Sequence, residues 1–232
     1  MKHIAIIPAR SGSKGLRDKN IKSLNGLPLL AYSVVAAQRS KIFDEIMVST
    51  DSPEYADIAQ KYGANVPFLR SDKTSGDTAG SWDVVREVLN LYYEAGKMFD
   101  TVCLLQPTSP LRTASDIVEA YDYFIEKDAE GVTSVCEVDH PLQWTLQLSP
   151  AMSMKEFRKR IKDQPRQALD TYYRVNGAIY IRKVTYMEQS AKILQDQEYA
   201  YIMERSHSLD IDDEQDFRMA EFFIKDIDRK NV

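Results

Sequence analysis

The chain has little that would place it outside a reducing, aqueous compartment. Only two cysteines occur among 232 residues, and no apolar run approaches the roughly 20 residues that a membrane-spanning helix needs. Cys103 and Cys136 each lie within an apolar run, where a thiol usually packs as a small hydrophobe. The first apolar run stops at Pro8, too early for a signal peptide or an anchor. We therefore expect a cytoplasmic protein without disulfides.

An excess of positive charge is also lacking. Thirty Lys and Arg residues stand against 35 Asp and Glu residues, which leaves a formal net charge of −5 at pH 7. This balance gives no general attraction to nucleic acid or to an anionic membrane, and we expect neither as a partner. An anionic substrate would need a local cluster of cations.

What is present is the pattern of one large α/β domain spanning residues 1–232. Short β-rich apolar runs alternate with segments of helical period, as in a mostly parallel sheet with crossover helices. The run 101–105 is continuously apolar, which is typical of a central strand buried on both faces. Strands are predicted at residues 3–7, 45–50, 66–69, 101–105, 132–138, 177–181 and 200–203, and helices at 28–38, 53–62, 79–93, 113–126 and 213–228.

Residues 139–173 fit no βαβ unit. We predict a strand at 143–148 and a polar, basic helix at 154–162. Trp144, Leu146 and Leu148 alternate, so on a strand they share one apolar face. The pattern fits a dimerisation arm covered by a second subunit, and it fits an internal β-ribbon equally well.

The loop after the first strand concentrates positive charge. Within ten residues it carries the cations Arg10, Lys14, Arg17 and Lys19, together with Gly and Ser residues. Such a loop suits a polyphosphate, although it has neither the Walker A spacing nor the Gly-x-Gly-x-x-Gly pattern of dinucleotide folds. From composition alone, an anion site and an ordinary solvated basic loop both remain open.

An aspartate pair near the C-terminus is the second polar motif. Asp210 and Asp212 alternate with Leu209 and Ile211, so on extended backbone both carboxylates point away from the core. Two carboxylates on one side can share Mg²⁺, which takes phosphate and water oxygens as its other ligands. Asp212 also stands three residues before Gln215, the spacing of a capping box, so helix capping is an alternative for Asp212.

Several motifs taken together carry a resemblance to a known family. They are Ile-Ile-Pro-Ala-Arg10, Ser11-Gly-Ser-Lys-Gly15, Lys19-Asn20, Val48-Ser-Thr-Asp51, Leu105-Gln-Pro-Thr-Ser-Pro-Leu-Arg112, Gln164-Pro-Arg-Gln167, Asn176-Gly-Ala-Ile-Tyr180 and Asp210-Ile-Asp212. In these motifs the chain resembles the CMP-sialic acid synthetases, or acylneuraminate cytidylyltransferases. The first loop is shared with the cytidylyltransferases for pseudaminic acid and 3-deoxy-manno-octulosonic acid.

The resemblance implies a fold and a reaction. The fold is a Rossmann-like nucleotidyltransferase fold with a mostly parallel sheet and a dimerisation arm. The reaction is Mg²⁺-dependent transfer of CMP from CTP to the anomeric hydroxyl of a nine-carbon acidic sugar, with release of pyrophosphate. Mn²⁺ is expected to substitute for Mg²⁺, and the protein is expected to be a homodimer.

The resemblance also implies roles for individual residues. Nucleotide-binding residues are Arg10, Ser11, Gly12, Lys14, Lys19, Asn20, Arg70 and Ser81; sugar-binding residues are Gln106, Gln143, Arg166, Asn176 and Tyr180; metal ligands are Asp210 and Asp212; and catalytic residues are Arg10, Lys19 and Asp212. The planar fork of Arg166 fits the sugar carboxylate, although Arg166 also fits a surface loop. Asn176 and Tyr180 are four apart on a predicted strand and so face one side, although Tyr180 fits the core equally well.

The prediction of the sugar depends on two neighbouring residues. Some sialic acid members of the family carry a Lys directly after His-Pro-Leu, where this chain has Gln143 followed by Trp144. Replacing a cation by a neutral amide and adding an indole can alter the recognition of sugar substituents. We therefore expect a legionaminic acid as the preferred substrate, with N-acetylneuraminic acid as the alternative.

Two other functions use some of the same features. A metal-dependent glycosyltransferase of related fold also has an Asp-x-Asp pair, but it has no leaving pyrophosphate for a basic loop to stabilise. A non-catalytic nucleotide-binding regulator has no need for paired aspartates. Both fit the chain less completely than a cytidylyltransferase does.

Overall fold

A six-stranded sheet forms the centre of the molecule, in a computed structural model that describes residues 1–13, 15–76, 79–160, 165–185 and 197–230. The strands in chain order are β1 (His3–Pro8), β2 (Ser23–Leu24), β3 (Leu27–Pro28), β4 (Glu45–Ser49), β5 (Thr101–Leu104), β6 (Gly131–Glu137), β7 (Tyr173–Lys183) and β8 (Glu198–Ile202). The order across the large sheet is β4-β1-β5-β7-β6-β8, while β2 and β3 form a separate hairpin. Only β7 runs against its neighbours, which confirms the mostly parallel sheet.

Helices on both faces cover this sheet. They are α1 (Leu29–Ser40), α2 (Pro53–Lys61), α3 (Asp72–Ser75), α4 (Ser81–Glu94), α5 (Ala114–Glu126), α6 (Lys155–Arg160) and α7 (Glu214–Lys230). Two predicted helix starts are confirmed by their caps. Ser52 accepts a hydrogen bond from the backbone N–H of Tyr55, and Thr113 and Asp116 form the reciprocal capping box of α5.

The core lies on both faces of β1 and β5, as their apolar sequences predict. On β1, Ala5 and Ile7 face one cluster while Ile4 and Ile6 face another. Every residue of β5 is buried. Cys103 and Cys136 are buried free thiols. Among the described helices, none is both long and apolar enough to cross a bilayer.

Two predicted strands are wrong. At 66–69 there is no strand, and only Asn65 makes a single bridge with Met47. At 143–148 the chain forms a 3₁₀ turn, Leu142–Trp144, followed by residues without regular structure. The N–H of Trp144 bonds back to the carbonyl of Pro141, so the chain turns where alternation predicted extension.

The internal β-ribbon at 139–173 is therefore not formed by the described residues of this segment. Its regular elements are short turns and α6, while only Tyr173 joins the sheet, as the first residue of β7. Leu142, Trp144 and Leu148 are each between 43% and 51% exposed. Their apolar surface is thus left largely uncovered by this chain, and the dimerisation arm stays a prediction.

Candidate active site

A cavity of 350 Å³ lies at the edge of the sheet where β1 and β5 end. Parallel strands place their carboxyl ends at one edge, which is where open α/β sheets bind ligands. It is lined by Pro8, Arg10, Ser13, Gly15, Lys19, Asn20, Arg70, Ala79, Ser81, Val84, Gln106, Pro107, Thr108 and Asp212. The fold therefore brings together seven residues predicted for the site from three separate motifs and from the intervening segment.

The basic loop after β1 contributes Arg10 to this cavity. The guanidinium donates to the backbone carbonyl of Ser75 at 3.4 Å. The buried Asn20 donates its side-chain amide to the carbonyl of Arg10 at 3.0 Å, and the N–H of Ala9 bonds to the carbonyl of Ser49 at 2.8 Å. The loop is thus held on both sides of Arg10, and Asn20 supports the loop as well as lining the cavity.

Lys19 connects the basic loop to the aspartate segment. Its ammonium donates to the backbone carbonyl of Ile211 at 2.5 Å and lies 3.9 Å from Oδ1 of Asp212, with only 13% of the side chain exposed. Gly15 adds a second contact, because a Cβ there would lie 2.9 Å from the carbonyl oxygen of Asp212. Any larger residue at Gly15 would force the two segments apart.

Arg70 lies on the cavity even though its predicted strand is absent. Its guanidinium donates to the hydroxyl and the carbonyl of Ser49, at 3.1 and 2.7 Å, and its N–H bonds to the carbonyl of Thr50. Burial lowers the pKa of Arg70 to about 10. The group is therefore still protonated at neutral pH and adds a third cation to the cavity.

The aspartate segment packs as its alternation predicts. Ile211 is fully buried and Leu209 packs against the same apolar cluster. The capping alternative for Asp212 is wrong, because Asp213 takes that role: its carboxylate accepts the N–H groups of Gln215 and Asp216. The Asp212 carboxylate therefore does not cap the helix, and its side chain is 85% exposed.

Asp210 lies in a setting that favours a cation. Its Oδ1 atom is buried without a hydrogen-bond partner. Burial raises the pKa of Asp210, and the charge of Asp212 raises it further against a lowering hydrogen bond from Thr108. A cation between these carboxylates would give the buried oxygen a partner and offset the raised pKa. The described part of the chain contains no cluster of three or more His, Cys, Asp or Glu residues that could hold a metal ion.

Gln106 meets Asp210 across the backbone of Gly177. Gly177 has a φ of +77°, and a Cβ there would lie 2.6 Å from the Gln106 side-chain oxygen and 3.7 Å from Oδ2 of Asp210. Glycine is required here for two reasons: the backbone is in the left-handed region, and the Gln106 side chain occupies the space that a Cβ would need. The predicted sugar residue and the predicted metal ligand are therefore close neighbours.

Asn176 and Tyr180 do not share one side, so that prediction is wrong. The positive φ of Gly177 and a register shift between β6 and β7 interrupt the alternation. The buried Asn176 amide accepts from the hydroxyl of Ser134 and donates to the hydroxyl of Ser208, which gives it a structural role. Tyr180 packs edge-on against Trp82, and burial together with the charge of Asp210 raises its pKa. Sugar contact by either residue stays a prediction.

The remaining predicted residues lie away from the cavity or outside the description. Ser11 bonds to Asp51, and Gly12 has a φ of +68°. Gln143 lies in the 3₁₀ turn of the 139–173 segment, where its Oε1 atom is buried without a partner. Lys14 and the side chain of Arg166 lie outside the described residues.

Sequence reasoning assigned no role to two residues that support the site. Thr108 bonds to the Asp210 side chain, and its carbonyl accepts the N–H of Ile211 at 2.8 Å. The fully buried Arg112 donates to the carbonyl of Ala178 at 2.8 Å and to the hydroxyl of Ser33. Both residues follow β5 in the motif that contains Gln106. Their position after the end of a central strand is the sequence feature that could have indicated their closeness to the site.

The chain is similar in sequence to proteins of known name. The chain is 38% identical over 221 residues to an N-acylneuraminate cytidylyltransferase from Escherichia coli, covering 94% of this chain but 51% of that longer protein. It is 35% identical over 231 residues to a CMP-N,N'-diacetyllegionaminic acid synthase from Legionella pneumophila, covering 95% of each chain.

A solved structure shares the fold at much lower identity. It is a CMP:2-keto-3-deoxy-manno-octonic acid synthetase complexed with CTP, with a TM-score of 0.72 at 15% identity, covering 97% of this chain and 99% of that chain. The family model described as cytidylyltransferase matches residues 4–228, almost the whole chain. The chain therefore belongs to the cytidylyltransferase family.

Proposed function

We propose that the protein transfers CMP from CTP to the anomeric hydroxyl of a nonulosonic acid and releases pyrophosphate. The observation that carries this proposal is the cavity at the sheet edge, where the cations Arg10, Lys19 and Arg70 face the same space as Gln106 and Asp212. Cations for phosphates thus share the cavity with Asp212, one of the two proposed metal ligands, while Asp210 does not line it and lies close to Gln106. The names of the two relatives refer to N-acylneuraminate and to N,N'-diacetyllegionaminic acid.

In this proposal the sugar hydroxyl attacks the α-phosphorus of CTP. Arg10 and Lys19 stabilise the negative charge that spreads over the α-phosphate and the departing pyrophosphate, and Lys14 is a further candidate. Arg10 and Lys19 are held by contacts within the protein, so little reorganisation is needed when the charge develops. Arg70 and Ser81 contact the cytidine portion.

Asp212 is the candidate acceptor of the hydroxyl proton. Its carboxylate is exposed to the cavity and is released from capping by Asp213. The ammonium of Lys19 lies 3.9 Å from Oδ1 of this carboxylate. In this proposal the proton moves to an oxygen of Asp212, directly or through a water molecule, as the new phosphoester bond forms and the bond to pyrophosphate breaks.

The proposal includes Mg²⁺, with Mn²⁺ as a substitute, held by Asp210 and Asp212. The buried, unpartnered oxygen of Asp210 and the raised pKa of that carboxyl are features that a bound dication would satisfy. Two carboxylates are enough, because this ion takes its remaining ligands from phosphate oxygens and water. When bound, the ion supplies neutralisation of phosphate charge.

The sugar side rests on less of the chain. Arg166 is proposed to bind the sugar carboxylate, and Gln106 lies beside Asp210 to contact the sugar. Gln143 and Trp144 are proposed to select a legionaminic acid over N-acetylneuraminic acid. The two relatives described above are named for these two different sugars at similar identity, so their names do not choose between them.

Assembly and location complete the proposal. Exposed apolar side chains at Leu142, Trp144 and Leu148 support a homodimer whose interface includes the 139–173 segment. A cytoplasmic location fits the use of CTP and the two buried free thiols.

One experiment tests the reaction. Purified protein is mixed with CTP, MgCl₂ and either N,N'-diacetyllegionaminic acid or N-acetylneuraminic acid, and released pyrophosphate and the CMP-sugar are both quantified. We expect equimolar amounts of the two products, and none of either when the sugar is omitted or UTP replaces CTP. CTP binding without pyrophosphate release would indicate a nucleotide-binding regulator. Transfer from a ready-made nucleotide sugar, without CTP, would indicate a glycosyltransferase.

A further inference from the structure

A carboxylate outside the predicted site fastens the basic loop. Asp51, in the turn after β4, accepts hydrogen bonds from the backbone N–H and the hydroxyl of Ser11, each at 2.8 Å. An N–H and a hydroxyl each have one hydrogen to donate. While this pair of bonds persists, Ser11 has no donor left for a phosphate oxygen.

The Asp51–Ser11 contact belongs to a set of bonds that enclose Arg10. Before Arg10, the N–H of Ala9 is bonded to β4, and at Arg10 itself the carbonyl accepts from Asn20. The contact with Asp51 fixes the next residue. Arg10 is the member of this stretch that lines the cavity, so the three bonds fix the backbone from which its guanidinium extends.

The charge of Asp51 requires an explanation, because a carboxylate near a polyphosphate repels it. Burial alone would raise the pKa of Asp51, but the hydrogen bonds from Ser11 outweigh burial and the pKa is lowered. The charge of Arg70 lowers it further, so the ionised carboxylate is balanced by a cavity cation. Hydrogen bonds to an ionised acceptor are stronger than neutral ones, which suits a contact that must hold a loop.

We propose that Asp51 is a positioning residue for the phosphate site: through Ser11 it holds the loop so that Arg10 is presented to the nucleotide. Ser11 then serves the loop and does not contact the phosphates directly. The inference rests on the proposed use of CTP, and it adds a residue to which the sequence motif assigned no role.

The test is a double-mutant cycle between Asp51 and Arg10. Asp51→Ala is expected to lower kcat/KM for CTP by roughly 10- to 100-fold, the loss expected for hydrogen bonds to a charged group. The KM for the sugar should stay near the wild-type value. In an Arg10→Ala background the same change should have little further effect, because Asp51 acts through Arg10. Losses that multiply in the double variant would overturn the proposal.

Two further variants separate positioning from folding. Asp51→Asn keeps one acceptor oxygen for the N–H of Ser11 and should recover most of the activity. Ser52→Ala removes the N-cap of α2 beside Asp51 and leaves the loop contact intact. It should lower the melting temperature without raising the KM for CTP. If Ser52→Ala impairs CTP use as Asp51→Ala does at equal melting temperature, the role of Asp51 is only structural.

Ser11→Ala distinguishes this proposal from direct phosphate binding. With Asp51 still bonded to the N–H, Ser11→Ala should cost less than Asp51→Ala, and its effect should also vanish in the Arg10→Ala background. A loss as large as that of Asp51→Ala, persisting without Arg10, would show that the hydroxyl contacts the nucleotide. CTP affinity from calorimetry gives the same cycle without turnover, so failure of the proposed reaction and failure of this inference can be told apart.

Discussion

The two sides of the proposed active site are built in different ways. On the nucleotide side, the polar groups follow the ends of β1, β4 and β5, and Arg70 and Asn20 are buried and bonded to backbone carbonyls. The 139–173 segment instead leaves Trp144 and Leu148 exposed, and the Oε1 atom of Gln143 has no partner. Among the described residues, the nucleotide side is thus held by contacts within the chain, while this part of the proposed sugar side stays largely uncovered.

The largest effect is expected at the aspartates, where both sides meet. Asp210→Asn should lower kcat by about two to three orders of magnitude. The reason is that a neutral amide lacks the negative charge of the carboxylate and is a poor ligand for a hard dication. The measurement is turnover against MgCl₂ concentration, with melting temperature as the check on folding. Asp213→Asn is the matched control, since it removes the same charge three residues away and keeps a capping oxygen. Full activity of Asp210→Asn at limiting Mg²⁺ contradicts the metal site.

The cations of the nucleotide side should come next. Arg10→Ala and Lys19→Ala are expected to lower kcat/KM for CTP by about a hundredfold, because both groups face charge that develops at the phosphates. Lys22→Ala is the control: Lys22, three residues after Lys19, pairs with Glu214 at 2.7 Å and does not line the cavity. If Arg10→Ala and Lys19→Ala only melt earlier and their folded fraction turns over normally, the loop is structural.

Elements with a strong local pattern could be predicted from the sequence. β1, β5 and the caps of α2 and α5 follow from local pattern, and the cavity follows from the rule that parallel strands end at one edge. The alternation of Trp144, Leu146 and Leu148 was misleading, because a turn after Pro141 prevents the strand. The prediction that Asn176 and Tyr180 face the same side failed for a similar reason, since Gly177 interrupts the alternation of the strand.

Supporting residues were missed for a different reason. Asp51, Thr108 and Arg112 act through partners that are 40 or more residues away in sequence, such as Ser11, Asp210 and Ala178. Contacts between residues so far apart in the sequence leave no local pattern from which they could be predicted. Asp213 replacing Asp212 as the cap is a shift of one residue, which spacing alone does not resolve.

A substitution in the 139–173 segment should weaken dimerisation. Wild-type protein is expected to sediment as a species of twice 26.6 kDa, and Trp144→Glu should raise the dimer dissociation constant by about 10- to 100-fold, the value of burying one large apolar side chain. Phe222→Glu on α7 is the control, as an exposed aromatic on a different element. A wild-type monomer at micromolar concentration, or a Trp144→Glu dimer of unchanged strength, argues against the arm.

The smallest expected effect concerns the choice of sugar. If Gln143 and Trp144 mark a different sugar, the ratio of kcat/KM values should favour N,N'-diacetyllegionaminic acid, and Gln143→Lys should move that ratio toward N-acetylneuraminic acid by about tenfold, or 1.4 kcal/mol. The physical reason is that a cation restores a partner for hydroxyl groups that an amide binds weakly. Gln147→Lys, in the same segment and exposed, adds the same charge and should leave the ratio unchanged. A wild-type preference for N-acetylneuraminic acid above about tenfold, or an equal shift from both lysine variants, would mean that Gln143 does not select the sugar.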